Sequence, residues 1–209
     1  MSYLDAAGKE IHADANELHI PLGRPVVVDM VSEDVIHSFW VPKLGGKMDM
    51  IPGRTNRLKL QADKAGVYGG QCAEFCGGAH SLMGFVVVAH DPADWQRWFD
   101  ARLARSQPGL AALPVSAEVL RGSQLFGEVG CAACHRIAGT PAQGLSGPDL
   151  THVGSRQSLG AGILPNTRGT LIGWIGDSQS IKPNNRMPAY RSLPADELGA
   201  LAAYMESLR

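Results

Sequence analysis

Between Val26 and His90 the apolar residues fall in short runs of the kind that strands make, whereas after Ser116 they recur at helical spacing. Val26-Val27-Val28-Asp29-Met30-Val31 and Val35-Ile36-His37-Ser38-Phe39-Trp40-Val41 are rich in β-branched and aromatic side chains. Arg57-Leu58-Lys59-Leu60 alternates, and Phe85-Val86-Val87-Val88-Ala89 is apolar throughout. Turn-forming stretches separate these runs: Pro21-Leu22-Gly23, Leu44-Gly45-Gly46, Pro52-Gly53, Gly69-Gly70 and Gly77-Gly78. Strands at such spacing predict a sandwich or barrel. A short helix is expected from Asp91-Pro92 through Trp95, Trp98 and Leu103.

Residues 106–115, with Pro108, Gly109 and Pro114 among them, read as a linker, which divides the chain into 1–105 and 116–209. Beyond it Ser116 can cap a helix that runs to about Glu128, with Leu125 and Phe126 on its apolar face and Gly130 as its stop. A second helix is expected from Thr167 through Leu171, Ile172, Trp174 and Ile175. A last one starts near Pro194 and carries Leu198, Leu201, Ala202, Met205 and Leu208 on one face. Glycine, proline and serine between Thr140 and Asn166 predict ordered loops rather than a sheet.

Composition narrows the function. A 209-residue chain has room for two domains, each with its own core. Its formal net charge of -1 and the lack of a basic stripe argue against nucleic-acid binding. No segment approaches the roughly 18 to 20 apolar residues of a membrane span. The start, Met1-Ser2-Tyr3-Leu4-Asp5, has no signal-peptide pattern, so the sequence as it stands reads as soluble. The four cysteines form two close pairs, Cys72 with Cys76 and Cys131 with Cys134. Bridging either pair closes too short a loop to stabilise much. Both pairs stand beside histidine and methionine, which metals use and disulfides do not.

Cys131-Ala132-Ala133-Cys134-His135 is a C-x-x-C-H motif directly after a predicted helix. Two thiols at this spacing reach the two vinyl groups on one edge of a porphyrin while the next imidazole turns under the iron. A redoxin C-x-x-C would follow a strand in a βαβ unit, and a zinc knuckle would need a second ligand pair at matching spacing; neither is present. A thioether is the usual sixth ligand in cytochromes c. Met187 and Met205 follow the motif; Met205 belongs to an apolar helical stripe, so Met187, in Asn184-Asn185-Arg186-Met187-Pro188-Ala189-Tyr190, is the expected ligand. From about Ala117 to Arg209 the chain resembles a class I cytochrome c, including Gly122, Phe126 and Tyr204 where the family's first and last helices cross. Gly147-Pro148-Asp149-Leu150 resembles the loop whose proline carbonyl accepts a hydrogen bond from the haem histidine. That likeness implies that Pro148 orients His135.

The other cluster is Cys72-Ala73-Glu74-Phe75-Cys76-Gly77-Gly78-Ala79-His80-Ser81-Leu82-Met83. Soft sulfur with imidazole selects copper or zinc, and zinc has no use for the methionine. A mononuclear blue site takes one cysteine and two histidines, so two cysteines point to two sulfur-bridged coppers, each needing an imidazole. The second imidazole must come from His12, His19, His37 or His90, and His37 lies at a strand position among apolar residues. Val35-Ile36-His37-Ser38-Phe39-Trp40-Val41-Pro42, Ile51-Pro52-Gly53-Arg54 and Gln71-Cys72-Ala73-Glu74-Phe75-Cys76-Gly77 resemble subunit II of haem–copper cytochrome c oxidase over about Ala15–Phe99.

That resemblance implies a cupredoxin-like Greek-key sandwich or barrel followed by an all-α class I cytochrome c fold, as in caa-type oxidases. It implies that Cys72 and Cys76 bridge two coppers, with His37 and Met83 on one and His80 and the Glu74 carbonyl on the other. A magnesium ion at the Glu74 side chain, shared with subunit I, is a further implication. Members of the family usually carry two transmembrane helices ahead of the copper domain, which are absent here, so a fragment is expected, on the outer face of a bacterial membrane where c-type haem is attached. The expected role is a relay from cytochrome c or another donor, through haem c and the dinuclear copper, to subunit I for dioxygen reduction. The chain alone would catalyse only electron exchange. A free-standing carrier and a module of a nitrogen-oxide reductase are the alternatives.

Overall fold

The first strands are short and polar. β1 (Ser2–Leu4) pairs with β2 (Glu10–Ala13) in an antiparallel hairpin. The structure, a computed structural model, describes residues 1–4, 7–105 and 116–209; the expected linker, 106–115, lies outside the described residues. Two compact units contain them. One is 16–99 with 161–163; the other is 1–15, 100–160 and 164–209.

The first unit carries β3 (Glu17–Pro21), β4 (Val26–Met30), β5 (His37–Trp40), β6 (Met48–Met50), β7 (Asn56–Leu60), β8 (Gly66–Cys72) and β9 (Gly84–His90), followed by the start of α1 (Pro92–Arg105). Five strands form one sheet in the order β3-β9-β8-β5-β6, in which only β3 and β9 run parallel. β4 and β7 pair antiparallel as a second sheet. Alternation decides which face is buried: Val26, Val28 and Met30 turn inward with Leu58 and Leu60, while Asp29 and Arg57 meet on the outer face at 2.6 Å. Ile20, Met30, Phe39, Val41, Leu60, Val87 and Ala89, contributed by both sheets, make one core. This is a cupredoxin-like β-sandwich. On α1, Trp98 stacks on His19 with ring centroids 4.2 Å apart, and His19 Nδ1 lies 2.7 Å from His90 Nε2.

Two expectations need correction. Gly69 and Gly70 are not a turn but the middle of β8. The Phe85 ring of β9 lies flat against Gly70, where a Cβ would come 2.4 Å from the ring, so the position needs glycine for packing rather than for bending. Val35 and Ile36 precede β5 instead of belonging to it, and both are exposed; the Ser32 hydroxyl donates to the Val35 carbonyl at 2.5 Å and turns the chain there.

The second unit is helical. α2 (Ala117–Glu128) is capped by Ser116, whose Oγ accepts from the Val119 N–H at 3.2 Å, and the chain leaves it through Gly130 at φ +85°. A two-residue ladder, β10 (Ser158–Leu159) with β11 (Leu164–Pro165), tightens the long loop. Thr167 caps α3 (Arg168–Ile181) in a capping box with Thr170, and α4 (Ala195–Ser207) follows Pro194. α2 crosses α4 where Gly122 meets Ala200, over a core that includes Leu125, Phe126, Leu171, Ile175, Leu201 and Met205. Among the described residues no helix is long and apolar enough to cross a membrane.

His152, 1% exposed in this unit, carries a pH-dependent load. Burial first, then the charge of Arg102 and the ring of His12, lower its pKa to about 4. The unfolded chain therefore takes up a proton at His152 from about pH 6.5 downward, and the folded one does not until near pH 4. Stability is full above that window and falls as pH drops through it, by on the order of 2–3 kcal/mol at its lower edge. Chemical denaturation of this unit at pH 7 and pH 4.5 should show the drop, and His152→Leu should flatten it; equal slopes in the two proteins would rule it out.

Candidate metal centres

The copper-type cluster hangs on neighbouring strands. Cys72 ends β8 directly beside Phe39 of β5, and His37 begins β5. The loop that follows is tied to the sheet at both ends: the Cys72 N–H donates to the Met83 carbonyl and the Ala73 N–H to the Ser38 carbonyl, each at 3.0 Å. Gly77, at φ +119°, lets the loop reverse, and the His80 N–H closes it onto the Gly77 carbonyl at 3.0 Å.

This framework brings together all six expected donors. The two sulfurs stand 3.7 Å apart. Cys72 Sγ lies 3.9 Å from His37 Nδ1 and 3.2 Å from the Glu74 carbonyl oxygen. Cys76 Sγ lies 3.5 Å from His80 Nδ1 and 3.7 Å from Met83 Sδ. His37, Cys72 and Cys76 form a set of donor atoms all within 4.8 Å of one another. Two thiols, two imidazoles, a thioether and a carbonyl make a soft set that suits copper. The Glu74 residue is exposed to solvent.

Electrostatics favours deprotonating this pair one sulfur at a time. Burial opposes ionisation of Cys72, yet backbone contacts at Glu74 and Ser38 and the His37 ring outweigh it and bring the thiol to about 7. Burial and the neighbouring Cys72 sulfur push Cys76 up to about 11. Asp34, which the sequence did not single out, is the outer partner of His37. Its Oδ1 sits 2.9 Å from Nε2, leaving Nδ1 turned to the sulfurs, and the His37 contact holds this carboxyl at about 2. Burial opposes the His37 imidazolium, but Asp34 and Cys72 raise its pKa on balance. The D-x-x-H spacing was the one signal the sequence offered.

The haem-type motif occupies the turn after α2. Cys131 opens a 3-10 turn and is half-buried, Cys134 is exposed, and both are free thiols. Segment 144–148 lies directly against this turn: a Cβ on Gly144 would come 2.4 Å from the Cys134 carbonyl carbon, and one on Gly147 would come 2.6 Å from His135 Cε1. The ring of His135 thus stands beside bare backbone. Its Nδ1 lies 2.8 Å from the Pro148 carbonyl, which can only accept, so Nδ1 carries the proton and Nε2 keeps the lone pair an iron requires. Tyr190, three residues after Met187, bonds the Cys131 sulfur, and burial first, then Cys131, push its hydroxyl up to about 12. Met187 is half-buried against the same core cluster as Cys131 and Tyr190, while Met205 is fully buried in it. The donors and the glycine-bared face fit a covalently attached haem.

Donor sets of these kinds on these two folds define a two-domain electron-transfer protein that carries copper and haem c. Residues 2–90 match the family described as cytochrome c oxidase subunit II, periplasmic domain, and residues 119–209 match cytochrome c. Cytochrome c oxidase subunit 2 of Alkalihalophilus pseudofirmus is 39% identical over 193 residues, 92% of this chain and 54% of that protein. Its counterpart in Bacillus sp. strain PS3 is 33% identical over 204 residues, 93% of this chain and 56% of the relative. A crystal structure of the periplasmic domain of subunit II of cytochrome oxidase from Bradyrhizobium japonicum aligns at 30% identity and a TM-score of 0.42, covering 50% of this chain and 76% of that one. Residues 2–90 are thus a cytochrome c oxidase subunit II periplasmic domain, and a cytochrome c domain follows it at 119–209. The chain spans little more than half the length of the two subunit 2 relatives.

Proposed function

We propose that this chain is the part of a bacterial haem–copper terminal oxidase through which electrons arrive, passing from a donor such as cytochrome c by way of haem c and a dinuclear copper centre to subunit I, on the periplasmic side of the membrane. The observation that carries this reading is the convergence of four further donors, His37, His80, Met83 and the Glu74 carbonyl, on the Cys72–Cys76 pair, whose sulfurs are 3.7 Å apart. When bound, copper and haem c supply reversible one-electron exchange.

The chain's own residues do the rest. Cys72 and Cys76 together with His37, Met83, His80 and the Glu74 carbonyl would hold the two coppers. Asp34 keeps the His37 ring turned toward the sulfurs. Cys131 and Cys134 would hold the haem as thioethers, and His135, oriented by Pro148, and Met187 would supply ligands to its iron. Donors fixed on β5, β8 and a loop tied at both ends are restrained from moving with oxidation state, which keeps reorganisation small. In this reading the exposed Glu74 would supply a carboxylate to a magnesium ion shared with subunit I. With both donor sets taken up by the metals they would hold, this reading assigns dioxygen chemistry to the partner subunit.

Elemental analysis of the loaded chain should return two coppers and one iron, with haem staining that survives a denaturing gel while copper is released. A single copper per chain would exclude the dinuclear assignment, and haem lost on denaturation would exclude covalent attachment.

A further inference from the structure

The backbone of Met187 is gripped by side chains on all its polar atoms. Its carbonyl accepts from Ser178 Oγ at 3.0 Å and from Gln179 Nε2 at 2.6 Å. Its N–H donates to Asn185 Oδ1 at 2.8 Å. The Asn185 amide nitrogen donates in turn to the carbonyls of Ser178 at 2.9 Å and Lys182 at 2.7 Å, and Gln179 Nε2 also reaches the Asn185 carbonyl at 2.9 Å. Ser178 is wholly buried. α3 breaks at Asp177, whose φ of −149° and ψ of 61° are not helical, and Ser178 and Gln179 follow that break. Pro188 then fixes the chain on the far side of Met187.

An ordinary surface loop leaves such peptide groups to water. Here three side chains converge on one residue, and that residue has a long, flexible thioether. A thioether binds metals weakly, so whether it stays bound depends on how little freedom it must surrender. We propose that Ser178, Gln179 and Asn185 are positioning residues: they hold the backbone of Met187 so that its sulfur stays on the haem iron against competing ligands. This rests on the reading of Met187 as the sixth ligand.

The test uses the full chain with haem attached. Three variants are compared with the parent: Asn185→Ala, Gln179→Ala and Met187→Ala. Two quantities are read in the ferric state: the far-red charge-transfer band of a methionine-ligated haem, and the affinity for added imidazole, which must displace the sulfur. Met187→Ala should abolish the band. Asn185→Ala and Gln179→Ala should keep the haem attached, weaken the band and tighten imidazole binding about tenfold, the scale expected for loss of an outer partner of a ligand. If Met187→Ala keeps the band, the ligand assignment fails and the clamp with it. If Met187→Ala loses the band but the other two bind imidazole with the parent affinity, the clamp alone fails. Should Asn185→Ala not fold, Gln179→Ala decides between the same two outcomes, since it removes two of the bonds without touching the turn that Asn185 makes.

Discussion

Serine in place of Cys72 should leave the chain without copper while haem c remains fully attached. Cys72 Sγ is the centre of the cluster, 3.7 Å from the other sulfur, 3.9 Å from His37 Nδ1 and 3.2 Å from the Glu74 carbonyl. Its thiol is also the one brought to about 7, so it is the sulfur ready to ionise near neutral pH. A serine hydroxyl is hard, short and protonated at any accessible pH, and it removes the atom that touches donors on β5 and the loop together. Loss of an outer partner typically costs about 10–100-fold in metal affinity, and loss of a bridging donor should exceed the upper end of that range. Copper content and the electron paramagnetic resonance signal should fall together, and the haem spectrum should not change, because Cys131, Cys134 and His135 lie in the other unit. Retention of two coppers, or loss of both cofactors at once, contradicts the assignment.

Gly122→Val should be the most damaging single change in the cytochrome unit. A Cβ at this position would stand 2.0 Å from the Ala200 carbonyl oxygen, 2.7 Å from its carbon and 2.8 Å from the Tyr204 Cβ. Two of those atoms are backbone and cannot rotate away, so α2 and α4 must separate. Separation opens the contact of Leu125 and Phe126 with Leu201 and Met205, and the edge-on pairing of Phe126 with Tyr204 at 5.9 Å. Overpacking commonly costs about 1–3 kcal/mol; with backbone on the far side, about 3 kcal/mol or more is expected, a large part of a domain's total stability. Denaturant unfolding followed by haem absorbance measures it. A change within about 0.5 kcal/mol, the range of an ordinary surface substitution, would falsify the close-crossing account.

The sequence was most readable where one force dominates locally. Apolar runs gave away β4, β5, β7 and β9, the Ser116 cap marked the start of α2, and helical spacing of apolar residues marked α3, because burial and capping each leave a pattern within a few residues. β8 was hidden because Gly69-Gly70 signals a turn unless one knows that the Phe85 ring is waiting across the ladder. β1, β2, β3 and β6 are short or polar, and their pairing is decided by partners elsewhere along the chain. At the site, cysteine, histidine and methionine announced themselves because few other uses explain them at such spacing. Asp34, Ser178, Gln179 and Asn185 did not, since a single hydrogen bond to a ligand leaves no periodicity to detect.

The bond from the Cys72 N–H to the Met83 carbonyl makes the copper loop a ring of fixed circumference, closed where the β8–β9 ladder ends. Side chains alternate between faces along both strands. One residue added to or removed from β8 or β9 on the sheet side of that closure would swing an end sulfur to the opposite face and point it away from its partners. The sheet therefore acts as a gauge for the ligand spacing, and variation in length has room only elsewhere in the chain.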